Sequence, residues 1–416
     1  MKKKNKLVLI ESEMLGPKGH FLDNLIETTK AFENKNTIYW LINKRFNNEG
    51  TYVPKNIKII KTISSNYFKR KINKLFYFLE EIFLFLKKIL EIIFYSFLFI
   101  RERNFKKFYR ALKSNFFILP RYFGSIYKQY KRLNLTKNDN VFFQTARRKD
   151  MALINFLIKI DENHPKFHIR VMMPPKIKFK GFFYYLNQLK SEMENKKIFV
   201  YTWSDYNFNY FKKNSISKKG IYKSNIPWSF YKRKKIKKKL VVGFMGDARR
   251  ARGFQFLPKI INILKKNKYE FNYIIQYSKI TDDLLDTKKE LNNLSKKDKN
   301  IYILEKYCDY KEFRNILKKI DIMPIIHNSA EINKITSGTM YSCISNEIAT
   351  VIPKGTNFMK DIMKFKSYEK AKNLEDFANK IVKISKKYEF YLRNVKLNSI
   401  ILKKILEKDP LRKYIT

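Results

Sequence analysis

The sequence predicts an α/β protein of two parallel-sheet domains, each with helices on both faces. Three observations carry this expectation. Short apolar strand-like stretches alternate with helical ones along much of the chain, which is the pattern of strand, helix, strand units. The length of 416 residues exceeds what one ordinary core supports and suits two domains of about 200 residues each. Between Lys223 and Lys239, Pro227 and a dense run of lysines interrupt the alternation, so the expected domains are residues 1–225 and 226–416.

Lys6 to Ser12 reads as the first strand, followed by the loop EMLGPKGH and a helix from about Phe21 to Glu33. Further strands of the first half are expected at Thr37 to Ile42, Asn56 to Ile60, Val141 to Thr145, His168 to Met173 and Lys197 to Trp203. The second half continues with Leu240 to Met245, Tyr273 to Tyr277, Ile301 to Glu305, Ile320 to Ile326 and Thr350 to Thr356. Its last helix, near Ser399 to Glu407, is expected to pack back on the first domain.

The stretch Gly243 to Gly253, GFMGDARRARG, carries the strongest chemical signal. A strand runs into a glycine turn set with arginines and then into an amphipathic helix from Phe254 to Leu264. Gly246 and Gly253 permit close backbone approach, while the forks of Arg249 and Arg252 would face a helix N-terminus that already favours negative charge. A diphosphate fits such a place. About ninety residues later a second helix start appears at Thr336 to Met340, where Ser337 can cap the helix and the amides near Gly338 and Thr339 offer another phosphate cradle. Lys334 adds a cation nearby, although a lysine in so basic a chain carries little information.

Taken together these residues resemble the nucleotide-sugar-dependent glycosyltransferases of the GT-B fold, glycosyltransferase family 4-like, whose C-terminal half carries a G-x-x-R-x-x-K-G-F turn. Here that turn is GDARRARGF, and the diphosphate-gripping roles of the family fall on Arg249 and Arg252. DIMPII and then KITSGTMYSCISNEIATVIPKGT are similar to the family's later motifs. The loop ending in Gly19 and His20 resembles the glycine-histidine loop that lines the acceptor side of the family's cleft. The resemblance implies two Rossmann-like domains facing across a cleft, with a helical amphipathic insertion in the first. It also implies sugar transfer from a nucleotide-diphosphate donor to a glycan or lipid-linked acceptor in surface polysaccharide or lipopolysaccharide synthesis, with no metal cofactor. His20 and Glu331 are then the candidates to touch the sugar or the acceptor, one from each domain.

Two departures stand out. The family's ribose-holding glutamate falls on Ser342, a weaker partner for a hydroxyl. Retention of anomeric configuration goes with an E-x7-E pair in the family, but Glu331 is followed eight positions on by Thr339. A catalytically inactive transferase-like scaffold at a membrane surface therefore stays open as an alternative.

Formal charge is +52, from 89 basic and 37 acidic residues. The lysines are scattered over every segment rather than gathered on one face, which argues for compositional background and against a nucleic-acid groove. An anionic membrane would still attract such a chain. Residues from about 67 to 130 form an aromatic and basic insertion whose longest nearly uncharged run, Ile92 to Ile100, is too short to span a bilayer. It reads either as an amphipathic helix lying in a membrane interface or as a cover for the first sheet or a second subunit. No signal peptide follows Met1, so a cytoplasmic protein, peripheral to the inner face of the membrane at most, is expected. Cys308 and Cys343 have no paired spacing, His20, His164, His168 and His327 lack metal-ligand spacing, and no D-x-D motif occurs; a metal site is not expected.

Overall fold

The structure is a computed structural model that describes residues 4–12, 14, 20–47, 52–63, 120–172, 180–225, 227–232, 239–327, 337–356 and 359–415. Two compact units emerge. The first comprises residues 1–49, 53–225 and 410–416, and the second residues 50–52 and 226–409.

In the first unit the elements run β1 (Asn5–Glu11), α1 (His20–Phe32), β2 (Asn36–Asn43), β3 (Ile57–Ile63), α2 (Pro120–Arg132), β4 (Asn140–Phe143) and α3 (Arg148–Ile160). They continue with β5 (Lys166–Val171), α4 (Lys180–Gln188), α5 (Lys190–Glu194), β6 (Ile198–Thr202), α6 (Asp205–Asn214) and β7 (Ile221–Lys223). All seven strands are parallel, in the order β3-β2-β1-β4-β5-β6-β7. Both faces are covered, which is why the strands read as continuous apolar runs rather than alternating ones. Val8, Ile10, Val141, Phe143, Phe167, Ile169, Ile198 and Val200 point into one core with buried residues of α2, α3, α4 and α6. On the opposite face Leu9, Phe142, His168 and Phe199 share one lateral row.

His168 in that row is fully buried and bonds Asn140 Oδ1 at 2.9 Å and the Tyr201 hydroxyl at 3.0 Å. Burial, followed by the charge of Lys166, pushes its pKa down to about 3. The imidazole is therefore neutral at ordinary pH and holds a structural place in the core.

The second unit contains β8 (Val241–Met245), α7 (Leu257–Lys266), β9 (Asn272–Tyr277), α8 (Leu285–Lys297), β10 (Ile301–Glu305), α9 (Tyr310–Leu317) and β11 (Ile322–Pro324). Then come α10 (Gly338–Ser345), β12 (Ala349–Pro353), β13 (Tyr368–Ala371), α11 (Leu374–Lys386) and α12 (Tyr388–Glu407). This sheet is also parallel, ordered β10-β9-β8-β11-β12-β13. Residues 227–232, from the stretch expected to join the domains, are anchored here: Trp228 stacks on Tyr341 of α10 at 5.6 Å and 3°, and the Arg314 guanidinium lies 5.5 Å from the Trp228 ring.

Two strands, β7 and β13, escaped the sequence reading. They are three and four residues long and lie at sheet edges, where one flank needs no partner and charged residues such as Glu369 and Lys370 are tolerated. The segment expected as the last helix is part of a longer one, and a further short helix follows it. Ser399 to Glu407 is the end of α12, which buries Tyr388, Tyr391, Leu392 and Val395 in the core of the second unit. The segment that belongs to the first unit is the following short helix, α13 (Pro410–Tyr414), whose Tyr414 ring stacks on Phe199 at 4.4 Å and reaches Tyr222 at 5.0 Å.

Of the aromatic and basic insertion, residues 67–119 lie outside the described residues. Its end forms α2, where Tyr122, Ile126 and Tyr130 recur every fourth residue and are buried against the first sheet. Among the described residues no helix is long and apolar enough to cross a membrane.

Candidate functional site

In the second sheet the strand order reverses between β8 and β11, and in doubly wound folds ligands bind outside the carboxyl ends of the strands at such a point. The chain leaving β8 there is Gly246 to Gly253. Gly243, in the middle of β8, has no room for a side chain because Ile320 packs on it. Gly246 at φ 127° and Gly253 at φ 73° occupy the region that favours glycine. A Cβ at Gly246 would overlap the Arg252 guanidinium, and one at Gly253 would overlap the Ile326 carbonyl. The turn is thus pressed against its own arginine on one side and against the chain leaving β11 on the other.

The three arginines divide. Arg252 lies over Gly246, and burial pushes its pKa below the ordinary guanidinium value, with Asp247 opposing the shift and Arg249 adding to it. It nonetheless stays cationic at any physiological pH. Arg249 is more open, with its side chain 58% exposed, and its Nη2 donates to Asp247 Oδ2 at 2.5 Å. Arg250 turns away to bond Asp283.

Beside Arg252, at the exit of β11, stands His327, whose pKa is pushed down to about 4 by burial and then by the Arg252 charge. A neutral imidazole next to a half-buried guanidinium can donate to or accept from a ligand without adding charge.

The C-terminal end of β9 props the turn. Ser278 Oγ donates to Asp247 Oδ1 at 2.8 Å, the Ala248 amide donates to the Lys279 carbonyl at 2.8 Å, and the Gly246 amide donates to the Gln276 side-chain and main-chain oxygens, each at 3.2 Å.

The second predicted cradle takes the form expected of it. Ser337 is the N-cap of α10, extended at φ −90° and ψ 113°, and its side chain accepts from the Met340 amide at 3.4 Å. Gly338 and Thr339 open the helix. Because β12 runs parallel to β11, the crossover helix α10 between them starts on the side of the carboxyl ends of the strands, where the arginine turn also leaves β8. Ser342 lies further along α10 and, like Ser337, is 7% exposed, with its carbonyl accepting from Asn346 Nδ2 at 2.7 Å.

Of the other residues singled out in the sequence, Gly19, Glu331 and Lys334 lie outside the described residues. His20 opens α1 in the first unit, and its side chain also lies outside the description. Sequence reasoning missed Asp247, Gln276, Ser278 and His327. A signal for two of them existed: Gln276 and Ser278 are polar residues at the carboxyl end of an otherwise apolar parallel strand. Cys308 and Cys343 are both buried.

No family model matches the sequence, and none of the curated proteins matches it. Solved structures do. The sucrose-phosphate synthase of Thermosynechococcus elongatus has a TM-score of 0.58 at 9% identity, covering 97% of this chain and 95% of that one. A glycosyltransferase of Rickettsia africae matches with a TM-score of 0.58 at 12% identity over 99% and 98% of the two chains. The Anabaena protein HepE, solved in complex with UDP, gives 0.56 at 9% identity over 97% and 98%. Identities this low speak for architecture alone. The chain has the GT-B fold, two Rossmann-like α/β units in series.

Proposed function

We propose that the protein is a glycosyltransferase that takes a sugar from a nucleoside-diphosphate donor held by the second unit. The observation that carries this reading is the arginine-lined glycine turn at the strand-order reversal, with Arg252 over Gly246 and the Ser337-capped helix start also on the side of the carboxyl ends of the strands. Charge builds on the leaving diphosphate as the glycosidic bond breaks, and cations and amide dipoles already in place lower the barrier. Arg252, Arg249 and the amides of Gly338 and Thr339 fill that role, with Lys334 as a further cation and Ser342 toward the ribose. The reading calls for no metal, because arginines do the work of a divalent cation. His20 and Glu331 are the residues proposed to touch acceptor and sugar. The acceptor is a glycan or a lipid-linked saccharide, the site of action the cytoplasmic face of a membrane, and the stereochemical course retention.

The test is a thermal-shift panel with UDP, GDP, ADP and CMP on the wild type and on the double variant Arg249→Ala, Arg252→Ala. One nucleoside diphosphate at a hundred times its Kd is expected to stabilise the wild type by about 2.7 kcal/mol and to leave the double variant unmoved. Serine in place of the ribose-holding glutamate favours one rival, an inactive membrane scaffold. A folded protein that binds anionic vesicles and no nucleotide would establish that rival instead.

A further inference from the structure

Gln276 is 3% exposed and stands in register with Met245, the last residue before the turn. Both ends of its side-chain amide are engaged. Oε1 accepts from the Gly246 amide at 3.2 Å, and Nε2 donates to the carbonyl of Lys306, just beyond β10, at 2.8 Å. One neutral side chain therefore ties together the chain leaving β8, the end of β9 and the chain leaving β10. Arg252 rests on the residue that Gln276 holds. A glutamate of the same shape could still accept from Gly246 but could not donate to the Lys306 carbonyl. It would also bring a carboxylate to the underside of the turn, where it would compete with a bound anion for Arg249 and Arg252.

We propose that Gln276 is a positioning residue for the donor diphosphate: it holds Gly246, and with it the Arg252 guanidinium, where two linked phosphates are recognised, and does so without adding charge. This rests on the donor-site reading above. The role concerns the second phosphate specifically, because the turn is the arginine-bearing element and the nucleoside need not touch it. The affinity for a nucleoside diphosphate relative to the monophosphate is thus the quantity Gln276 controls.

Isothermal titration of UDP and UMP, or of the matching pair for whichever base stabilises the wild type, measures that preference directly. Wild type, Gln276→Leu and Gln276→Glu are compared, with unfolding temperatures recorded alongside. The expected result is a loss of about tenfold in the diphosphate preference for Gln276→Leu and a larger loss for Gln276→Glu, with monophosphate affinity changed less than about threefold. A residue that merely fills the core would lower the unfolding temperature and leave the preference intact, and that outcome overturns the proposal. Should Gln276→Leu fail to fold, Gln276→Glu, which keeps shape and the Gly246 acceptor, carries the comparison. A wild type that binds no nucleoside diphosphate overturns the donor reading and the role of Gln276 together. A wild type that binds one, with variants of unchanged preference, overturns only the latter.

Discussion

Where the first sheet reverses its order, between β1 and β4, the chain leaving β4 carries Gln144 and lies beside Arg170 at the end of β5, both 0% exposed and joined by a 2.8 Å hydrogen bond. Arg170 lies 4.8 Å from the Phe142 ring, and Asp150, at the start of α3, accepts from the Arg147 amide at 2.6 Å and from the Tyr122 hydroxyl. Where the second sheet reverses, between β8 and β11, the cations are only half-buried or open, and the backbone turns through two glycines at positive φ. The same topology thus carries a packed polar cluster in one unit and an anion-ready turn in the other. Topology supplies the crevice, and the depth at which the arginines sit decides what the crevice can hold. A guanidinium at 0% exposure serves the core, whereas one at the mouth of a turn keeps capacity for a ligand.

The comparison breaks first at the glycines. Gly253 in the second unit has φ 73° and the Ile326 carbonyl in the place of a Cβ; Gly220 in the first has φ 75°, but its nearest neighbour, the Ile198 oxygen, stands 3.0 Å away. Gly253→Ala should cost about 3 kcal/mol or more in urea denaturation, and Gly220→Ala about 1–2 kcal/mol, because only the first adds a backbone overlap to the left-handed conformation. Equal costs would mean that the turn yields where the structure holds it tight.

Acid sharpens the contrast next, through one histidine in each unit. Both folded pKa values lie below the ordinary 6.5, about 3 for His168 and about 4 for His327. The unfolded chain therefore takes up protons first. The stability each contributes is complete above pH 6.5 and falls at up to about 1.4 kcal/mol per pH unit until the folded pKa is reached. Between pH 7 and 4.5, His168→Gln should lose about 2–3 kcal/mol less than wild type in urea melts. His327→Gln should spare less, since His327 is partly open to solvent.

The smallest effects separate the two arginines proposed to hold the donor. Arg252→Ala is expected to weaken nucleoside-diphosphate binding by about 10–100-fold in titration calorimetry. Arg249→Ala should weaken it by less than about tenfold, because its guanidinium is exposed and already shared with Asp247. The reverse order would move the centre of the site outward along the turn.

Much of the fold was legible because buried parallel strands need uninterrupted apolar residues, and LVLI, FVYT and VVGFM have them. Val141 to Thr145 was read too far, since Gln144 and Thr145 already belong to the loop. The short edge strands went unread because a strand with one free flank needs little apolar character. In the candidate site, Gly246, Arg249, Arg252 and Ser337 announced themselves through residue types that turns, anion contacts and helix caps demand. His327 did not, and Gln276 and Ser278 showed only as polar residues closing an apolar strand, because their importance comes from strands adjacent in space and distant in sequence.

By itself, then, the sequence determined the alternation of strands and helices, the glycine turn and the helix cap, all of which rest on local backbone and side-chain preferences within a few residues. The tertiary structure decided which strand lies beside which and that Gln276 holds Gly246 thirty residues away. It also set the Arg252 guanidinium directly against Gly246 and sent Arg250 to Asp283. These are outcomes of register and close packing, which bring distant residues into contact and which no local preference encodes.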